Sequence, residues 1–156
     1  MLHLSFIFNI STCIFNVLPS FENRKWHILL TNNNTFMSKK TLVVGASLKP
    51  QRYSNLAIHR LTQYMHEVVA YGLRKGEVAG VSILTEFPED KDIDTVTLYL
   101  NPLRQQEYYQ KIIDLKPKRI IFNPGTENPT FYDMLDKANI NYEVACTLVL
   151  LSTNQY

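Results

Sequence analysis

A chain of 156 residues with 46% hydrophobic content is one domain's worth of sequence and enough for a sizeable core. A net charge of +2 without any lysine-arginine run excludes a nucleic-acid footprint, and two cysteines, Cys13 and Cys146, exclude a disulfide framework. No stretch reaches the ~18 uninterrupted apolar residues of a membrane helix, so neither nucleic acid nor membrane is expected as a partner.

Residues 1–18 are apolar and aromatic but broken by Asn9, Ser11, Thr12 and Asn16. Their hydrophobicity suits a secretory signal. However, no Lys or Arg precedes the apolar part, and no small-x-small cleavage site follows it. Residues 1–36 are therefore read as a non-native or disordered N-terminal extension. Met37, followed by Ser38, Lys39 and Lys40, is read as the natural start of a cytoplasmic protein whose single domain spans residues 37–156.

From there the elements follow in order. Residues 42–44, Leu-Val-Val, form a short β-rich run closed by Gly45, the pattern of a buried parallel strand. Ser54 or Asn55 is a good N-cap for a helix over residues 55–66, with Leu56, Ile58, Leu61 and Met65 inward. Residues 68–71 predict a second strand ended by Gly72, and residues 73–80 a loop. Residues 81–84 read as a short strand or an extended connection, and residues 86–92 as an acidic surface loop. Residues 95–100 predict another strand. Asn101 then caps a helix that has Pro102 at its first position and runs over residues 103–115. Tyr108, Ile112 and Leu115 face inward there, and Arg104, Gln105, Lys111 and Asp114 face solvent. A strand over residues 119–122, a turn at Asn123-Pro124-Gly125-Thr126, a helix over residues 129–138, a strand over residues 142–146 and a helical turn over residues 147–151 complete the chain.

Alternation of this kind predicts an α/β fold: a mainly parallel sheet with helices on both faces. Ligands of such sheets bind beyond the carboxyl ends of the strands. Three loops leave those ends, at residues 45–53, at Asn101-Pro102 and at residues 123–128, and all carry small or polar residues. The first is the most informative. Gly45, Ala46 and Ser47 lead through Lys49, Pro50, Arg52 and Tyr53 to Ser54 at a helix start. Such a loop offers backbone N–H groups, a helix dipole, two cations and hydroxyl donors to phosphate. It is not the three-glycine dinucleotide fingerprint, and no acidic residue follows the second strand to hold ribose hydroxyls. Arg74 and Lys75 stand there instead. They suit a phosphate on a ribose, which NADP and coenzyme A both carry, or a plain solvated basic turn.

The blocks VGASLKPQRYSNLA, VVAYGLRKGEVAGV, LYLNP, IIFNPGTENP and VACTLV resemble the small CoA-binding domain family. Its relatives include the amino-terminal domain of the succinyl-CoA synthetase alpha subunit. The likeness covers residues 39–156 and none of residues 1–36. It implies a Rossmann-like domain that binds coenzyme A. Gly45, Ala46, Ser47, Lys49, Arg52 and Ser54 would hold the phosphates. Asn101 and Pro102 would border the ligand, and Pro124, Gly125 and Thr126 would lie near its pantetheine arm. The family's glycine-alanine-serine core with its later proline is intact at Gly45, Ala46, Ser47 and Pro50. After the second strand the family commonly has an Asn-Pro turn, which this chain replaces with Leu73-Arg74-Lys75.

Other residues read more plainly. Ser47 lacks the glycine two positions on that a nucleophile elbow requires. His59 and His66, placed on one helix, would stand ~10 Å apart along its axis, too far to share a metal. Cys146 is either a small buried apolar residue or a thiol facing the ligand's sulfur. Glu86, Glu89, Asp90, Asp92 and Asp94 read as solvated surface, and Tyr108-Tyr109 as helix packing. The resulting expectation is a module that binds CoA or acyl-CoA without catalysis of its own, with a homodimer left open. A small NADP-dependent oxidoreductase and a ligand-free interaction protein on the same fold are the alternatives.

Overall fold

A computed structural model describes residues 38–156. The reading of residues 1–36, the start at Met37 and Cys13 lie outside the described residues. The strands are β1 (Lys40–Ala46), β2 (Glu67–Gly72), β3 (Gly76–Val78), β4 (Val81–Leu84), β5 (Thr95–Leu98), β6 (Arg119–Phe122) and β7 (Asn141–Val144). The helices are α1 (Tyr53–Gln63), α2 (Pro102–Gln105), α3 (Tyr109–Leu115), α4 (Pro129–Ala138) and α5 (Thr147–Ser152). The sheet runs β3-β4-β2-β1-β5-β6-β7, parallel throughout except for β3.

The central strand explains its own composition. Thr41, Leu42, Val43 and Val44 are all 0% exposed because both faces of β1 are covered. Leu42 and Val44 join Val96, Leu98, Ile120 and Phe122 in one layer, closed by Ile112 and Leu115 of α3 and Phe131 and Leu135 of α4. On the other face Val43, Ala70 and Ile83 meet Ile58 and Leu61 of α1 and Leu151 of α5. Pairing of β1 with β2 holds from Lys40 opposite Glu67 to Val44 opposite Tyr71, then slips so that Ala46 lies opposite Gly72. Gly45 sits at the slip with φ +94°, a left-handed conformation that side chains resist. The bulge turns Ala46 into the same layer as Val43.

The structure corrects several boundaries. Residues 73–80 are not all loop: β3 pairs antiparallel with β4 across a two-residue turn, where Ala79 and Gly80 take φ of 52° and 78°. Two positive φ values are what a tight hairpin needs, but Ala-Gly is a weaker signal than Asn-Gly. Helix α1 begins at Tyr53, with Arg52 as its boundary residue and no side-chain cap. Ser54 and Asn55 are buried inside the first turn instead of capping it. Leu56 is 41% exposed, and Met65 lies past the helix at 75%. The helix after Asn101 is broken into α2, a 3-10 turn at Gln106–Tyr108, and α3. Gln105, expected in solvent, is 0% exposed. β5 stops at Leu98 and β7 at Val144, so Cys146 is the boundary residue of α5 and not the end of a strand. Asp94 is half-buried and bonded to Thr95 and Lys118, whereas Asp92 pairs with Lys40. Among the described residues no helix is long and apolar enough to cross a membrane.

His66 is not on α1 but at the amino-terminal edge of the sheet, buried. Its Nδ1 accepts the Lys39 backbone N–H at 3.1 Å, and its ring lies 4.8 Å from that of Tyr156. Burial, then the Lys39 and Arg119 charges, lowers its pKa below the ordinary 6.5, against a smaller opposing effect of Asp94. The unfolded chain therefore binds this proton more readily than the native one. The contribution is complete above pH 6.5 and is lost as the pH falls through the depressed native value. We expect the thermal midpoint to drop as the pH is lowered through this window, and to drop less in His66→Gln. Equal pH profiles for the two proteins would contradict this.

Candidate functional site

The carboxyl ends of β1, β2, β5, β6 and β7 open on one cleft of about 650 Å³, within the ~300–1,000 Å³ common for small-molecule sites. A methyl group at Gly72 would strike the Ala46 carbonyl oxygen, so β1 and β2 end in closer contact than any side chain permits. The loop after β1 is tied back on itself. Arg52 N–H donates to Lys49 O at 3.0 Å, Lys49 N–H to Ser47 Oγ at 3.2 Å, and Asn55 Nδ2 to Ser47 O at 2.9 Å. Because Ser47 Oγ accepts, its hydroxyl proton stays free to donate outward. No side chain caps α1 and no acid occupies its first turn. Its leading N–H groups and positive dipole end are therefore left for an outside anion.

Four cations line the cleft: Lys49, Arg52, Arg74 and Arg104. Among the described residues the ion pairs involve Lys40, Lys118 and Arg119, all at the opposite edge of the sheet, and none of these four. Tyr71 and Tyr108 also line the cleft, with the Tyr71 hydroxyl donating to the Tyr108 hydroxyl at 3.0 Å. Burial, helped by that bond, pushes the Tyr71 phenol up to about 12, and burial does the same for Tyr99. Tyr71 and Tyr99 are therefore neutral at physiological pH and oppose no anion.

On the other side, buried amides set the wall. Gln105 Nε2 donates to Leu100 O at 2.8 Å and Thr126 O at 2.7 Å, and Gln105 Oε1 accepts from Asn128 Nδ2 at 2.8 Å. Asn123 Nδ2 donates to Thr97 Oγ1 at 2.7 Å and Leu98 O at 3.1 Å, while its Oδ1 accepts the Thr147 N–H at 2.9 Å. One amide thus joins the ends of β5, β6 and β7. Asn101 Oδ1 caps α2 by accepting the Arg104 N–H at 3.0 Å, and Thr126 donates its hydroxyl to Asn123 O at 2.8 Å.

Gly45, Ala46, Ser47, Lys49, Arg52, Tyr53 and Ser54 line the cleft, as do Arg74, Asn101, Pro124, Gly125 and Thr126. Pro50, Lys75 and Pro102 do not: Pro50 and Lys75 are exposed, and Pro102 is the first residue of α2. Cys146 is half-buried on the wall. Sequence reasoning missed Tyr71, Tyr99 and Arg104. The two tyrosines were findable as strand-end residues, but Arg104 was hidden by the expectation that its helix face meets solvent. Among the described residues no three His, Cys, Asp or Glu side chains cluster to hold a metal.

This strand order, with a ligand-sized cleft at the carboxyl ends, defines a Rossmann-like domain. Residues 39–152 match the CoA binding domain family, and the chain belongs to it. The crystal structure of an uncharacterized protein is similar, with 46% identity and a TM-score of 0.75 over 77% of this chain and 99% of that one. A hypothetical protein from Pyrococcus horikoshii OT3 is 25% identical, with a TM-score of 0.63 over 82% of this chain and 89% of its own. The Thermus thermophilus protein cell-free ID.343 shares the fold at 16% identity, with a TM-score of 0.66 over 86% and 98% of the two chains. No curated protein matches the chain.

Proposed function

We propose that the cleft binds coenzyme A or an acyl-CoA through the loop after β1. The observation that carries this reading is that four cations without an ion pair among the described residues line one cleft with an uncapped helix start, in a chain of the CoA-binding domain family. Lys49, Arg52 and the α1 N–H groups take the pyrophosphate, with hydroxyl donors from Ser47 and Ser54. Arg74, beyond β2, takes the ribose phosphate. Asn101, Pro124, Gly125 and Thr126 border the pantetheine arm. In this reading the domain binds its ligand without catalysis of its own, and among the described residues no His, Asp or Glu lines the cleft.

Thermal-shift measurement on the full chain tests the reading. CoA and acetyl-CoA at ~100 times Kd should stabilise the fold by ~2.7 kcal/mol, while NADP and NAD leave it unchanged. A shift with NADP alone would favour the oxidoreductase, and no shift with any of them a ligand-free interaction protein.

A further inference from the structure

The cleft has two chemically different ends. Its four lining cations come from the loop after β1, the loop after β2, and α2. Arg104 comes from α2, which follows β5, the strand between β1 and β6. The loops after β6 and β7 supply Asn123, Pro124, Gly125, Thr126, Cys146 and Leu148, none of them charged. The charged residue of the loop after β6 is an acid, Glu127, whose carboxylate accepts the Gly125 N–H at 2.8 Å. The first N–H of α5, on Thr147, is already held by Asn123. With ~4.8 Å between neighbouring strands, β7 stands ~14 Å from β1, three steps across the sheet.

We infer that the cleft selects CoA thioesters with uncharged acyl groups and rejects those ending in a carboxylate. This rests on the CoA reading: with the phosphates at β1 and β2, the thioester end runs toward β6 and β7. A carboxylate there would be desolvated beside Leu148, among loops whose cleft-lining residues bring no cation to pair it. An uncharged acyl chain meets no such cost.

Calorimetry on the full chain with CoA, butyryl-CoA and succinyl-CoA tests this. Butyryl and succinyl share a four-carbon chain and differ in the terminal carboxylate. Butyryl-CoA should bind within ~3-fold of CoA, and succinyl-CoA at least ~10-fold more weakly than butyryl-CoA, as a cost of ~1.4 kcal/mol implies. Leu148→Lys should bring succinyl-CoA to within ~3-fold of butyryl-CoA. Wild-type protein that binds CoA but discriminates less than ~10-fold overturns the inference and leaves the CoA reading standing. A folded Leu148→Lys protein with an unchanged ratio places the tail elsewhere and also overturns it. Failure to bind CoA at all sinks the reading and this inference together.

Discussion

Replacing Lys49 and Arg52 together by alanine is expected to weaken CoA binding by at least ~2 kcal/mol, about 30-fold in Kd. A hydrogen bond to a charged group is typically worth ~1.5–3 kcal/mol. Both side chains are exposed and neither carries an ion pair in the described residues, so their removal leaves no buried group unpaired. The stability of the free protein should therefore move by less than ~0.5 kcal/mol. Calorimetry and urea denaturation on the same samples separate the two quantities. Wild-type affinity in the double variant would remove the loop after β1 from the site.

Gln105→Leu should act the other way, on the fold first. The residue is 0% exposed, and its amide holds two main-chain carbonyls, Leu100 O and Thr126 O. Leucine fills similar space but leaves both carbonyls buried without a donor, at ~1–3 kcal/mol each. Asn128 keeps its bond to the Tyr109 hydroxyl at 2.6 Å, which limits the damage on that side. The expected loss is roughly 2–4 kcal/mol in urea denaturation, a large part of a marginal stability. CoA affinity should fall as well, because Leu100 and Thr126 border the cleft. A loss below ~0.5 kcal/mol would show that the two carbonyls find other partners.

The same glutamine marks the limit of sequence reading. By sequence its polar side chain is assigned to solvent together with Arg104, Lys111 and Asp114. A continuous helix would already have set it on the face of Ile112, seven residues on, and across the 3-10 turn at Gln106–Tyr108 it stays buried. His66 was misplaced for a different reason: α1 ends at Gln63, and the residues after it carry the imidazole to the far edge of the sheet. The β3–β4 hairpin was missed because Ala79 adopts a positive φ, which nothing in its chemistry advertises. By contrast α4 was legible to the residue. Pro129 at its first position, Phe131 and Leu135 on one face and Asn139 in a left-handed C-cap all act locally.

The sequence by itself determined the β1–loop–α1 unit, the alternation that makes the sheet parallel, and the cations that suit a phosphate. Each depends on neighbours within a few positions, where backbone preference and side-chain period dominate. Only the tertiary structure decided which cations share a cleft. It brought Arg104 in and left Lys75 out, set Tyr71 against Tyr108, and lined the cleft with uncharged residues from the loops after β6 and β7. Those relations join residues 20 to 100 positions apart, and they follow from strand order and helix phase, which local pattern does not encode.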